Sequence, residues 1–142
     1  MKTRFAAPKL PSSGVLVMLA GEGAALPPAA AKLDKTAQDY LRRAFAAASF
    51  DGKRDQVADM LAPPGLGVSR LIVIGTGDPT KLKPRDVELA GGAIGGLLLG
   101  GKVKEAAVLA EMPEGAAVAG GQAAALLASG IALRTYSFDK YK

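Results

Sequence analysis

Residues 70–75 read Arg-Leu-Ile-Val-Ile-Gly, a continuous apolar run bounded by one charged residue and one glycine. Apolar side chains at successive positions are typical of a strand that is covered on both faces of a sheet. Val15–Ala20 has the same character. Shorter strands are predicted at Thr3–Ala7, where nearby prolines indicate an edge position, at Gln56–Leu61 and at Glu105–Ala110.

Helices are predicted between and after these strands. Apolar residues recur every three or four positions from Ala29 to Phe50, which predicts one amphipathic helix opened by Pro27-Pro28. A second helix begins at Pro84, and its glycine-rich segment Gly91–Gly96 indicates very close packing. A third helix is predicted over Ala116–Leu133.

The order β-β-α-β-β-α-β-α predicts one three-layer α/β/α domain with a mixed sheet. The first two strands have no helix between them, so we expect part of the sheet to be antiparallel. The length of 142 residues suits a single domain with a substantial core.

Composition removes several classes of chemistry. The chain has no histidine and no cysteine, which excludes a disulfide framework, a zinc finger and a Ser-His-Asp triad. Carboxylate, lysine, arginine, hydroxyl and backbone chemistry remain. No pair of carboxylates lies in a strongly apolar run that would shift a pKa for acid–base work.

The net charge of +5 permits binding to polyanions but does not require it. Basic residues occur singly or in pairs such as Arg42-Arg43 and Lys53-Arg54, usually with an acid nearby, which indicates a solvated surface. In the tail Arg134–Lys142, aromatic residues alternate with bases. That pattern fits either single-stranded nucleic acid or a protein contact. The uncharged segment Gly115–Leu133 is rich in Ala and Gly, which favours a packed helix over a membrane span.

Two candidate ligand sites have simpler interpretations. Gly75-Thr76-Gly77-Asp78 follows a buried strand and precedes a helix, as a phosphate-binding loop would. A dinucleotide fingerprint would need a third glycine where Thr80 stands, so an ordinary strand-exit turn is favoured. The acids Asp51, Asp55 and Asp59 suggest a metal cluster, but on a strand the last two are about 13 Å apart. Solvated strand ends explain them better.

Four segments together resemble the leucyl aminopeptidases, the M17 or cytosol aminopeptidase family. The tail Gly130–Lys142 is similar to that family's inter-domain region, and Phe50-Asp51-Gly52-Lys53 with Gln56 resembles its Phe-x-Gly-Lys segment. Leu71–Gly77 resembles its strand and Gly-x-Gly turn, and Leu82–Asp86 the start of the following helix. The resemblance covers essentially the whole chain, but only as the family's N-terminal domain.

This resemblance implies a macro-domain-like fold in residues 1–133, with residues 134–142 starting a linker to a C-terminal catalytic domain. In the family that domain holds two divalent metals, Mn or Zn, and carries an Asn-Thr-Asp-Ala-Glu-Gly-Arg signature, which does not occur here. The resemblance therefore implies no catalytic, cofactor-binding or metal-ligating residue in this chain, and a non-enzymatic role for it.

The implied partners are the chain's own catalytic domain and the other subunits of a homohexamer. The implied location is the cytoplasm, and no membrane contact is expected. The full-length parent would be a metallo-aminopeptidase. The alternative is a DNA- or polyanion-binding module, which the net charge of +5 and the basic and aromatic tail suggest. The resemblance is compatible with it, because some bacterial members of the family are associated with DNA binding. An ADP-ribose-binding macro domain is a further alternative, which rests on the implied fold and on the Gly75–Asp78 turn.

Overall fold

The computed structural model describes residues 2–6, 10–11, 13–100, 103–118 and 120–140 of the chain. Its elements, in chain order, are β1 Lys2–Ala6, β2 Val15–Ala20, a 3-10 helix Pro28–Lys32, α1 Lys35–Ala47, β3 Val57–Leu61, β4 Arg70–Gly75, a 3-10 turn Pro79–Lys81, α2 Pro84–Gly100, β5 Glu105–Leu109 and α3 Gly120–Lys140. The strands form one five-stranded sheet in the order β1-β5-β2-β4-β3. The predicted α/β fold and the predicted order of elements are confirmed.

Helices cover both faces of the sheet because β2 and β4 carry apolar side chains at nearly every position. On one face, alternate residues of these strands pack against α1, with Leu16, Met18, Leu71 and Val73 meeting Leu41 and Phe45. On the other face, Val17, Leu19, Ile72 and Ile74 meet Ile94 and Leu98 of α2 and Leu127 of α3. Each fully buried aliphatic side chain contributes about 1.5–3 kcal/mol, so these two layers form the main stabilising core.

The antiparallel part of the sheet is not where the absence of a connecting helix suggested. β1 and β2 are not neighbours, because β5 lies between them and pairs parallel with both. The antiparallel pair is β3 with β4, in the unbroken register Val57↔Ile74 to Leu61↔Arg70. Only a short loop joins these two strands, which is sufficient for an antiparallel pair but not for a parallel crossover.

The single helix predicted over Ala29–Phe50 is wrong, because the chain breaks at Leu33 and Asp34. Both residues have extended backbone angles and separate the 3-10 helix from α1. The Asp34 carboxylate accepts a hydrogen bond of 2.9 Å from the Ala37 amide, which caps the start of α1. The apolar periodicity continues through the break, so periodicity alone does not reveal it.

α2 and α3 approach each other so closely that only glycine fits at the contact. A β-carbon on Gly91 would collide with the Leu127 carbonyl oxygen, and one on Gly130 with the Glu88 carbonyl oxygen. The close packing indicated by Gly91–Gly96 is therefore confirmed, but the expected neighbour, the sheet, is wrong, because the atoms nearest to a β-carbon on each glycine of this segment belong to α3. α3 begins at Gly120 rather than Ala116 and continues past Leu133 to Lys140. Tyr141 and Lys142 lie outside the described residues.

Candidate functional site

β2, β4 and β5 are parallel, so their carboxyl ends lie together at one end of the strands, which is where open α/β sheets bind ligands. The loop after β2 and the loop before β3 lie against each other there, with Gly23 and Ala24 amides both donating to the Asp51 carbonyl at 2.8 and 3.0 Å. The Glu22 amide reaches the Gly77 carbonyl, in the loop after β4, at 2.9 Å. These loops therefore form one hydrogen-bonded cap on the sheet.

The backbone amides of the Gly75–Asp78 turn are used within this cap. The Gly75 amide donates to the Gln56 carbonyl at 2.8 Å, and the Thr76 amide to the Ala20 carbonyl at 2.9 Å. The Gly77 amide donates to the Gly52 carbonyl at 2.8 Å. A phosphate loop presents free amides to its anion, so these three are not available for that role. The geometry agrees with the strand-exit turn interpretation.

Gln56 and Gly52 explain why the segment Phe50–Gln56 has its particular composition. The Gln56 Oε1 atom accepts hydrogen bonds from the Asp51 amide at 3.0 Å and from the Lys53 amide at 3.1 Å. Gly52 has φ of +78°, and a β-carbon there would collide with the Gly21 carbonyl. The residues that carry the family resemblance in this segment thus hold the loops of the cap together.

The candidate carboxylate cluster does not form. Asp51 faces Lys53 at 3.9 Å, while Asp59 forms a bidentate ion pair with Arg70 at 2.6 and 2.9 Å. Asp55 lies in the turn before β3, with φ of +72°, so the strand geometry assumed for its distance from Asp59 does not apply to it. Across the described parts of the chain, no group of three or more Asp, Glu, His or Cys side chains is placed to hold a metal ion.

Several of the basic residues have acidic neighbours, as the sequence pattern indicates. Arg42 lies 3.6 Å from Asp39 on α1, Arg54 lies 3.4 Å from Asp86, and Arg4 lies 3.4 Å from Glu105. These three ion pairs lie in different parts of the fold: within α1, between the loop before β3 and the start of α2, and between β1 and β5.

Two further sequence features have a simple outcome. Lys32 and Lys35 flank apolar helical positions in the sequence, which predicts surface lysines, and both are exposed. The side chains of the aromatic tail residues Tyr136, Phe138 and Tyr141 lie outside what the structure describes, so their predicted contact with nucleic acid or protein stays a prediction.

Two hollows flank the cap, one on each face of the sheet. The larger, about 770 Å³, lies between the 3-10 helix and α1, with Leu41, Phe45 and Phe50 among its apolar lining and Arg42 and Glu114 among its polar lining. The smaller, about 270 Å³, lies between β3 and α2 and includes Val57, Ile74, Leu89, Arg54 and Asp86. Both are mainly apolar, and sequence periodicity did not predict either of them.

The clearest perturbations of pKa lie outside both hollows. Hydrogen bonds from the hydroxyl and the amide of Thr80 lower the pKa of the exposed Asp78 carboxyl. The hydrogen bonds to Asp59 raise the pKa of Arg70. Each shift stabilises the ionised form that the group already has near neutral pH, so neither creates a general acid or base.

None of the described helices has the length and apolar character needed to cross a bilayer. The interpretation of Gly115–Leu133 as a packed helix agrees with this finding, because Ala123, Leu127 and Ile131 are buried against the sheet and α2.

The fold and the cap thus define an α/β/α domain whose loops are tied to one another by hydrogen bonds. Residues 15–142 match the family described as "Cytosol aminopeptidase family, N-terminal domain". The chain belongs to this family, as an N-terminal domain of it.

Similar proteins of known sequence agree with this assignment. A "Probable cytosol aminopeptidase" of Rhodopseudomonas palustris strain BisA53 is 44% identical over 131 residues, which is 92% of this chain and 26% of that protein. Proteins of the same description from Xanthobacter autotrophicus and Rhodopseudomonas palustris strain CGA009 are 43% and 37% identical, over 96% and 100% of the chain. The chain spans about a quarter of the length of these relatives, at 26% and 28% of the latter two.

Proposed function

We propose that this chain is the non-catalytic N-terminal domain of a leucyl aminopeptidase whose hydrolytic site lies in a separate C-terminal domain. The match over residues 15–142 to an N-terminal family domain is the observation that carries this proposal. The relatives are described as probable cytosol aminopeptidases, and about three quarters of their length lies outside the matched region. The parent enzyme would use two divalent metal ions, manganese or zinc, to release N-terminal residues from peptides.

The residues present here do not fit such a metal pair. Dinuclear sites need several convergent oxygen ligands. Asp59 is instead held by Arg70, and Asp51 faces Lys53, while the described acids form no ligand group. No step of the reaction is therefore assigned to a residue of this chain.

The role we propose for the domain is structural. The domain would contribute contacts between subunits of the parent homo-oligomer. It would lie beside the catalytic domain, and residues 134–142 would start the linker that connects the two. The parent would act in the cytoplasm. The hydrogen-bonded cap supports a structural role, because it ties the loops at the carboxyl ends of the strands to one another.

An activity assay separates this proposal from its opposite. The 142-residue chain, incubated with manganese or zinc and a leucyl anilide, should release no aniline, whereas the longer polypeptide that contains it should do so under the same conditions. Turnover by the 142-residue chain that a chelator abolishes would overturn the proposal. Circular dichroism on the same sample provides the control that the chain is folded.

A further inference from the structure

β3 lies at the end of the sheet and has hydrogen-bonding groups that no described strand uses. The Gln56 carbonyl accepts a hydrogen bond from the Gly75 amide, and the Ala62 amide donates one to the Ser69 carbonyl. The backbone N–H and C=O groups of the even-numbered residues in this segment therefore point towards β4. In an antiparallel ladder the N–H and C=O groups of the residues between them point to the opposite side of the strand. The N–H and C=O groups of Val57, Asp59 and Leu61 therefore point away from the sheet.

This edge lacks the features that normally prevent strand addition. Proline, lysine and bulges protect natural sheet edges. β3 has the sequence Val-Ala-Asp-Met-Leu and an unbroken register with β4, and its one charge, Asp59, is already paired with Arg70. The opposite edge, β1, contains Lys2 and Arg4 instead. The two edges of the same sheet thus differ, and the β3 edge is the less protected of the two.

Apolar side chains accompany the open edge. Leu61 is 77% exposed and Val57 is 41% exposed, and alternation places both on the α2 face of the sheet. Val57 lines the smaller hollow together with Leu89 of α2, which is itself 59% exposed. Single exposed apolar residues are ordinary, but three beside a free strand edge indicate a contact surface.

We infer that the β3 edge pairs with the β3 edge of a second copy of this chain, antiparallel and about a two-fold axis at Asp59. This register is the one in which the outward groups of all three residues are satisfied, since Val57 faces Leu61 of the second copy and Asp59 faces its own counterpart. It also places the exposed apolar residues against each other on one face, which a two-fold axis requires of an isologous interface. The two five-stranded sheets then join into one continuous sheet.

The charges at the axis are compatible with this pairing. Two aspartates directly opposite each other would repel. Here each Asp59 carboxylate receives two hydrogen bonds from Arg70 of its own sheet, at 2.6 and 2.9 Å. Arg70 lies diagonal to Asp59, because it is paired with Leu61 in the register of the two strands. The four charges beside the axis, one Asp59 and one Arg70 from each copy, therefore sum to zero. This inference deepens the assembly role proposed above and rests on it.

The absence of cysteine makes the register directly testable. In the inferred pair, position 59 lies about 5.5 Å from itself between α-carbons, within the roughly 4.4–6.8 Å that a disulfide spans. Position 57 lies about 14 Å from position 57 of the second copy, because it faces position 61 of that copy, which is four residues of strand away from position 57. With oxidant or a short bifunctional thiol reagent, we expect Asp59→Cys to form covalent dimers, and Val57→Cys to form them only when Leu61→Cys is also present.

Sedimentation velocity over a concentration series of the unmodified chain measures the association itself. One strand pair with few side chains buries less than the about 1,600 Å² of a standard interface, so the equilibrium should be weak and concentration-dependent. Leu61→Lys should leave the chain monomeric and folded by circular dichroism. Leu133→Lys is the matched control, because this leucine is 59% exposed on α3, and it should not change the association.

Other outcomes would overturn the inference in distinguishable ways. Dimers that persist in Leu61→Lys would place the interface elsewhere while leaving the assembly role intact. Equal cross-linking through cysteines introduced at positions 57, 59 and 133 would indicate random collisions. A chain that stays monomeric at every concentration, and whose Asp59→Cys variant forms no covalent dimer, would exclude β3 self-pairing and leave the edge to a different strand. None of these results depends on the aminopeptidase assay.

Discussion

Arg70 on β4 and Asp59 on β3 form a bidentate ion pair across the antiparallel edge of the sheet, with Nη2–Oδ2 and Nε–Oδ1 distances of 2.6 and 2.9 Å. The Arg70 side chain is 17% exposed, so solvent screens the pair less than it screens an ordinary surface pair. A double-mutant cycle of Asp59→Asn and Arg70→Met should give a coupling energy of about 1 kcal/mol in urea unfolding. The pair Asp39–Arg42, which is more exposed, is the control and should give less. Equal coupling energies in both cycles would contradict the conclusion that solvent screens the Arg70–Asp59 pair less than the Asp39–Arg42 pair.

The crossing of α2 over α3 predicts opposite effects for two adjacent glycines. Gly91→Ala should destabilise the fold by about 1–3 kcal/mol, because the new methyl group meets the Leu127 backbone and forces the helices apart. Gly92→Ala has only the Gly130 oxygen at 3.9 Å near it, so the gain in helix propensity should stabilise the fold by about 0.5–1 kcal/mol. Thermal and urea unfolding of the two variants would measure the difference. A neutral Gly91→Ala would disprove the close contact.

The cap on the sheet predicts that Gly52 is far less replaceable than Gly23, although both have φ of +78°. Alanine at Gly23 should cost only the left-handed backbone conformation, about 1–2 kcal/mol, since nothing lies within 4 Å of its β-carbon position. Alanine at Gly52 would also collide with the Gly21 carbonyl, so its loss of unfolding free energy should be clearly larger. Equal losses of unfolding free energy in the two variants would show that the loop around Gly52 moves to admit the β-carbon without further loss of stability.

The break before α1 predicts a measurable helix cap. Asp34→Ala should reduce the free energy of unfolding by about 1 kcal/mol, because the Ala37 amide loses its acceptor. Asp34→Asn retains an acceptor and should restore most of this loss. If Asn and Ala at position 34 proved equally destabilising, the capping role would be wrong.

The Asp78–Thr80 turn predicts a titration shift that one substitution removes. Because Thr80 lowers the pKa of Asp78 below its ordinary value of 3.8, the carboxylate stabilises the fold fully above that value. This contribution is lost as the pH falls below 3.8 through the lowered pKa. Thr80→Ala removes the hydroxyl donor and should raise the Asp78 pKa, as measured by NMR titration of its side-chain carbon. An unchanged pKa would contradict the role of the hydroxyl.

The elements that depend on local pattern could be predicted from the sequence. Val15–Ala20, Arg70–Gly75 and the start of α2 at Pro84 agree with the structure to the residue, because consecutive apolar residues and a proline at the first turn are local signals. The break at Leu33-Asp34 was not predicted, although an aspartate before a helical segment is itself a capping signal. The apolar periodicity continues on both sides of Asp34, so it predicts one helix although this residue is a capping signal.

Features that depend on distant residues could not be predicted. β5 enters the sheet between β1 and β2, and no local pattern states which strands will be neighbours. The roles of Gln56 and Gly52 depend on the loops after β2 and β4, which the fold brings to them. Both hollows are spaces between packed elements, so they too follow from the tertiary arrangement.

The position of β5 has a consequence for the order in which the domain is made. Synthesis produces β1 first, yet its partner residues, Glu105–Leu109, follow about a hundred residues later. β2, β3 and β4 can associate with α1 while the rest of the chain is still being translated. The strand that leaves the ribosome earliest is therefore the one that must wait longest for its hydrogen bonds.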